Sequence, residues 1–224
     1  MKTNQEYKNQ ALAALKGNWA HAVIGAIVLT IITVLIGAPG WISNMTAFGQ
    51  LHVDLSADKI MYLSLAGIPL SILLLYPMVL GYTIAHNSLL AEGDPRICAN
   101  TFGIMFKGYL RNVWAMFLMY IFICLWSLLL IIPGIVKSLS YAMTPYILKD
   151  YPELSANQAI NLSRKMMKGR KFDLFYLCLS FIGWTFLGLF TLTIGYMWLM
   201  PYMYTAFAAF YQDVKKDYIE NTNL

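Results

Sequence analysis

The stretch SANQAINLSRKMMKGRKFD, residues 155–173, decides how the chain is read. Ser155 and Gln158 stand at the spacing of a capping box, and Leu154 and Ala159 at that of a hydrophobic staple. Ala156, Ala159, Ile160, Ser163, Met166 and Met167 fall on one helical face. Asn157, Gln158, Asn161, Arg164, Lys165 and Lys168 fall on the other. Gly169 is placed to stop the helix. Five of the sixteen Lys and Arg residues lie here: Arg164, Lys165, Lys168, Arg170 and Lys171. The pattern predicts a helix along a membrane surface, its basic face toward anionic lipid headgroups.

The rest of the chain supports a membrane setting. Of 224 residues, 59% are hydrophobic and 12% charged, and the mean hydropathy is +0.58. Soluble domains carry about 25% charged residues. The net charge of +5 comes from basic residues flanking apolar runs, a sorting pattern and not a nucleic-acid footprint. Cys98, Cys124 and Cys178 form no Cys-x-x-Cys pair and read as reduced structural residues. Lys2, Lys8 and Lys16 precede the first apolar run, which reads as an uncleaved span because no small-x-small site follows Ile36.

Apolar runs at 19–36, 60–90, 110–132, 135–149, 172–190 and 195–212 are candidate spans, crossing a core that needs about 20 residues. Gly37-Ala38-Pro39-Gly40 and Pro133-Gly134 read as turns between them. With the N-terminus inside, fourteen of the sixteen basic residues fall on the inner side, leaving out Lys59 and Lys137. The loop 37–59, with Trp41, Phe48, His52, Asp54 and Asp58, has room for a short interfacial segment.

Two further helices resemble the one quoted above. Thr3 and Glu6 make a capping box ahead of Lys16-Gly17. Asp94-Pro95 reads as an N-cap followed by proline at the first helical position, ahead of Lys107-Gly108. Each return span carries proline beside tyrosine: Tyr76-Pro77, Pro145-Tyr146 and Pro201-Tyr202. The expected fold is therefore all-α: a polytopic membrane protein with six transmembrane helices. They form three tandem helical hairpins, each preceded by a cytoplasmic interfacial amphipathic helix. The chain is one integral membrane domain, 1–224, with pseudo-repeats 3–90, 94–149 and 155–212.

Proline within a span frees the carbonyl four residues earlier, here those of Leu73, Tyr141 and Met197. These breaks either shape kinks for packing or ring a central site, to which Tyr76, Tyr82, Tyr141, Tyr146, Tyr202 and Tyr204 would add hydroxyls. Lys137 either snorkels to the outer interface or lines a cavity. His86-Asn87 and His21 read as interfacial hydrogen-bonding groups and not metal ligands. No motif for hydrolysis, phosphate binding or metal-assisted catalysis is present, so neither an enzyme nor a cofactor is expected.

Ile132-Pro133-Gly134-Ile135-Val136-Lys137, Ser140 through Pro145, and Met166-Met167-Lys168-Gly169 resemble a bacterial family of integral membrane proteins, domain of unknown function 975. The likeness takes in Ala14 through Trp19, Phe181-Ile182-Gly183-Trp184, Pro201-Tyr202 and Phe210-Tyr211. The family is also similar, more distantly, to the membrane domain of some glycerophosphodiester phosphodiesterases. The resemblance implies a bacterial cytoplasmic membrane protein and supplies no activity; the distribution of basic residues is what places both termini inside. The leading expectation is a non-enzymatic binding, scaffolding or accessory module, in contact with anionic lipid and open to a protein partner in the membrane. The alternative is a small-solute or lipid transporter or channel with a site among the proline-broken helices.

Overall fold

A computed structural model describes residues 2–47, 56–191 and 194–222, and these form helices joined by short turns, without strands. Helices α1 (Asn4–Leu15), α2 (Trp19–Ala47) and α3 (Ala57–Leu70) are followed by a π-helical turn, Ser71–Leu75, that runs directly into α4 (Tyr76–Glu92). Then come α5 (Ile97–Phe106), α6 (Tyr109–Leu129), α7 (Ile131–Tyr141), α8 (Thr144–Asp150) and α9 (Ala156–Met166). Helices α10 (Lys171–Leu179), α11 (Ile182–Phe190) and α12 (Tyr196–Thr222) complete the chain.

Four segments are long and apolar enough to cross a membrane: Trp19–Ala38, Gly67–Glu92, Tyr109–Leu129 and Lys171–Phe190. The expected fourth and sixth spans are not among them. Residues 135–149 divide between α7 and α8, with a break at Ala142-Met143. The eleven residues of α7 reach only about 16 Å. All but the first residue of the run 195–212 lies in the longer α12, where tyrosines and charged residues dilute the aliphatic content.

Both expected turns lie inside helices. Helix α2 continues through 37–40 and packs along α3, where the backbone of Gly67 lies close to the Ile36 carbonyl. Chain reversal before α7 occurs at Leu130, in extended conformation (φ −160°, ψ 145°). Pro133 sits in the first turn of α7, where a missing N–H costs no helical bond. Gly134 serves close helix contact: a Cβ there would lie 2.2 Å from Ser127 Oγ and 2.9 Å from Ser127 Cα. Of the loop residues expected to form an interfacial segment, Phe48, His52 and Asp54 lie outside the described residues.

The three short amphipathic helices are packed against protein. Both capping boxes form, at Thr3–Glu6 and Ser155–Gln158. Helix α5 begins later than expected, with Arg96 at the N-cap; the Asp94 carboxylate instead accepts the Arg96 amide, the Arg96 guanidinium and the Asn100 side chain. The Arg96 guanidinium, then the Asn100 amide, hold that carboxyl well below the usual carboxylate range. Gly17, Gly108 and Gly169 all adopt positive φ, between 62° and 84°, which is why glycine closes each Lys-Gly end.

Helix α5 packs on α4, α9 on α8, and α1 on α12, so the first short helix closes onto the last long one. At that closure the Tyr7 hydroxyl donates to Asp213 at 2.6 Å, and the Tyr7 ring meets Phe210 edge-on. Lys8 donates to the Ser180 carbonyl at 2.8 Å, across the break between α10 and α11. Gly81 lets α5 approach α4 so closely that a Cβ would stand 2.2 Å from the Thr101 carbonyl oxygen. Leu15 and Ile97 are completely buried in these contacts, a burial of about 1.5–3 kcal/mol each.

Candidate functional site

Helix α9 buries Ala156, Ala159, Ile160, Ser163 and Met166 in the main core, with Met167 beside them, the face the spacing predicts. That face meets α6, α7, α8 and α12. The apolar side is thus covered by protein and not by lipid, so α9 is docked in the bundle and only its basic side is free. Arg164, Lys165 and Lys168 are exposed on that side.

Two neighbouring elements bring further cations to the same place. Lys137 on α7 points to the pocket, with its ammonium 4.2 Å from the centre of the Trp126 ring. The left-handed turn at Gly169 ends α9 and starts α10, so that Lys171 comes back to the same space. The resulting pocket, about 470 Å³, is lined by Lys137, Ser140, Asn161, Arg164, Lys165, Lys168 and Lys171. It contains no carboxylate. Five like charges around one space repel each other, weakly where they face solvent, and an anion entering would relieve that repulsion.

Lys137 therefore belongs with the basic helix and not with the tyrosines expected beside it. Arg170 turns away from the pocket and pairs with Asp217 on α12. Ser140 and Asn161 were not singled out by sequence. Asn161 accepts from Arg164 at 3.1 Å, an i, i+3 pairing whose signal was present in the polar face of α9. Ser140 gave no such signal, because only the packing of α7 beside α9 brings it there.

The proline-flanking candidates are tied up in packing. Tyr76 lies against Tyr120 with ring centres 4.5 Å apart, and Tyr146 stacks on Tyr211 at 4.6 Å. Tyr141 is buried near Phe122, and Tyr202 meets the Phe181 ring edge-on at 5.2 Å. None of them lines the pocket of Lys137. Pro77 follows the π-helical turn, as expected where its ring displaces the preceding backbone. The Leu73 carbonyl accepts a hydrogen bond from the Tyr109 hydroxyl. Pro145 lies at the start of α8, and Pro201 lies buried within a continuous α12.

Ser163 answers the break before Pro145. Its hydroxyl accepts the Met143 amide at 3.2 Å and donates to the Ser140 carbonyl at 2.9 Å, fully buried. The sequence placed Ser163 on the apolar face without revealing this role. Arg111 does similar work, donating to the carbonyls of Leu148 in the last turn of α8 and of Pro152 and Leu154 beyond it. His86 is fully buried against Tyr82 and Tyr204, and its Nδ1 donates to the Tyr82 carbonyl at 2.9 Å. Among the described residues no group of three or more His, Cys, Asp or Glu is placed to hold a metal.

A family model described as "Protein of unknown function (DUF975)" matches residues 59–218. Comparison with curated proteins finds no match, and neither does comparison with solved structures.

Proposed function

The chain belongs to the DUF975 family of proteins of unknown function, and we propose that it is a non-enzymatic integral membrane protein that binds anionic lipid headgroups as a binding or accessory module. The observation that carries this reading is the pocket of five cations with no carboxylate in its lining. In this reading the membrane is the bacterial cytoplasmic membrane, and both termini lie on its inner side. Helix α2 and the α3–α4 helix cross as a hairpin. The α6–α7 and α11–α12 hairpins enter the bilayer from the cytoplasmic side. The position of Lys137 beside α9 supports this arrangement, since it leaves Lys59 as the one cation away from the inner face. The three left-handed glycines and the pairings α4–α5, α8–α9 and α12–α1 support three tandem units arranged as a ring. A solute path among the broken helices has less support, because Tyr76, Tyr141, Tyr146 and Tyr202 are engaged in ring packing.

Thermal unfolding of the purified full chain in micelles tests the reading. Phosphatidylglycerol should raise the midpoint over an equal amount of phosphatidylcholine, and the gain should shrink as sodium chloride is raised. An equal effect of the two lipids refutes it.

A further inference from the structure

We infer that the pocket between α7, α9 and α10 selects a terminal phosphate group, a phosphomonoester or diphosphate, over the phosphodiester of ordinary anionic lipids. The inference rests on the lipid-binding reading above and names the chemistry of the same site.

The argument starts from donor count and charge. Lys137, Lys165, Lys168 and Lys171 each carry three N–H donors, and Arg164 carries five. None of the five takes part in an ion pair among the described residues. Arg164 spends one nitrogen on Asn161, which orients the guanidinium. A phosphodiester brings one negative charge and two free oxygens. A phosphomonoester brings about −1.5 to −2 at neutral pH and three acceptor oxygens, and a diphosphate brings more of both. Only the latter groups match a site where five cations converge within about 470 Å³.

The surroundings place the rest of such a ligand in lipid. Exposed Ile135 and Val136 precede Lys137, and exposed Phe172 follows Lys171. Lys137 lies about 9 Å along α7 from its first residue, next to the exposed apolar tip Leu128–Ile132. An acyl or isoprenoid chain leaving the pocket therefore meets apolar surface directly. The same phosphate chemistry could arrive on a soluble molecule, which the test separates.

The full chain is purified in micelles containing equal amounts of phosphatidic acid and phosphatidylglycerol, and the retained lipids are counted by native mass spectrometry. Phosphatidic acid should be retained about tenfold over phosphatidylglycerol at pH 7.5. The preference should fall toward parity at pH 5, where the second phosphate proton is regained. K137Q and R164Q should each lose most of the preference, whereas K59Q, on α3 and outside the lining of the pocket, should keep it. Thermal midpoints measured without lipid confirm that each variant is folded. Titration with inorganic pyrophosphate reports the source: tight binding of pyrophosphate without retention of phosphatidic acid supports phosphate recognition with a soluble ligand. Equal retention of both anionic lipids overturns the selectivity and leaves the anionic-lipid reading standing. Retention of neither, with no binding of pyrophosphate, overturns both.

Discussion

Replacing Ser163 with alanine tests whether the broken helix before Pro145 is held from outside. The substitution removes one oxygen and leaves the surrounding volume nearly unchanged. It deprives the Met143 amide of its partner at 3.2 Å and takes a 2.9 Å donor from the Ser140 carbonyl. The site is fully buried, so water cannot replace the hydroxyl without opening the α7–α9 contact. An abandoned buried backbone group costs about 1–3 kcal/mol. The Met143 amide bears most of this, and the Ser140 carbonyl adds a smaller part, giving about 2–4 kcal/mol in all. At about 2–4 °C per kcal/mol for a chain of this length, the thermal midpoint in micelles should drop by roughly 4–16 °C. S163T should retain more stability than S163A, because it keeps the hydroxyl. The same scan on S155A calibrates the loss of a helix cap, about 0.5–2 kcal/mol. A midpoint for S163A within 1 °C of the parent would refute the argument that this hydroxyl closes the break.

Three other substitutions report on separate links of the structure. G81A forces a Cβ to within 2.2 Å of the Thr101 carbonyl oxygen; α4 and α5 must separate, and unfolding scans should show a loss of about 1–3 kcal/mol or more. Y109F leaves the Leu73 carbonyl without its hydroxyl donor and should cost about 1–2 kcal/mol; an unchanged midpoint would mean that the helix around Pro77 satisfies that carbonyl by itself. The Asp94 carboxyl is held down by Arg96 and Asn100, so its contribution is present above the ordinary carboxylate range and is lost as pH falls through that range and below it. Amide exchange in the first turn of α5 should therefore accelerate, beyond the intrinsic trend, from pH 6 to pH 3 in the parent but not in D94N. Equal acceleration in both would show that another group is responsible.

Local chemistry was legible in the sequence wherever it acts over a few residues. The capping boxes at Thr3 and Ser155, the glycine stops and the buried face of α9 all follow from spacing. Nothing local distinguishes a glycine that ends a helix from one that lets two helices touch. Gly134 was thus read as a turn, while its missing side chain accommodates Ser127. Nor does an amphipathic pattern say what covers its apolar face, so α9 was expected against lipid and lies against protein. The candidate site was half legible. The charge of Arg164, Lys165, Lys168 and Lys171 was plain, but Lys137 and Ser140 join them only because α7 is too short to carry Lys137 far from α9. Arg170 looked equivalent to its neighbours until Asp217, 47 residues away, claimed it.

The central claim is that Lys137 and the cations of α9 and α10 face one bound anion. Lysine footprinting by amine acetylation, read by mass spectrometry on the full chain in vesicles, tests it most directly. With phosphatidylglycerol in place of phosphatidylcholine, Lys137, Lys165, Lys168 and Lys171 should become protected together, while Lys216 keeps its reactivity. Protection of the α9 lysines with Lys137 unchanged would contradict a shared site, and so would equal labelling in the two membranes.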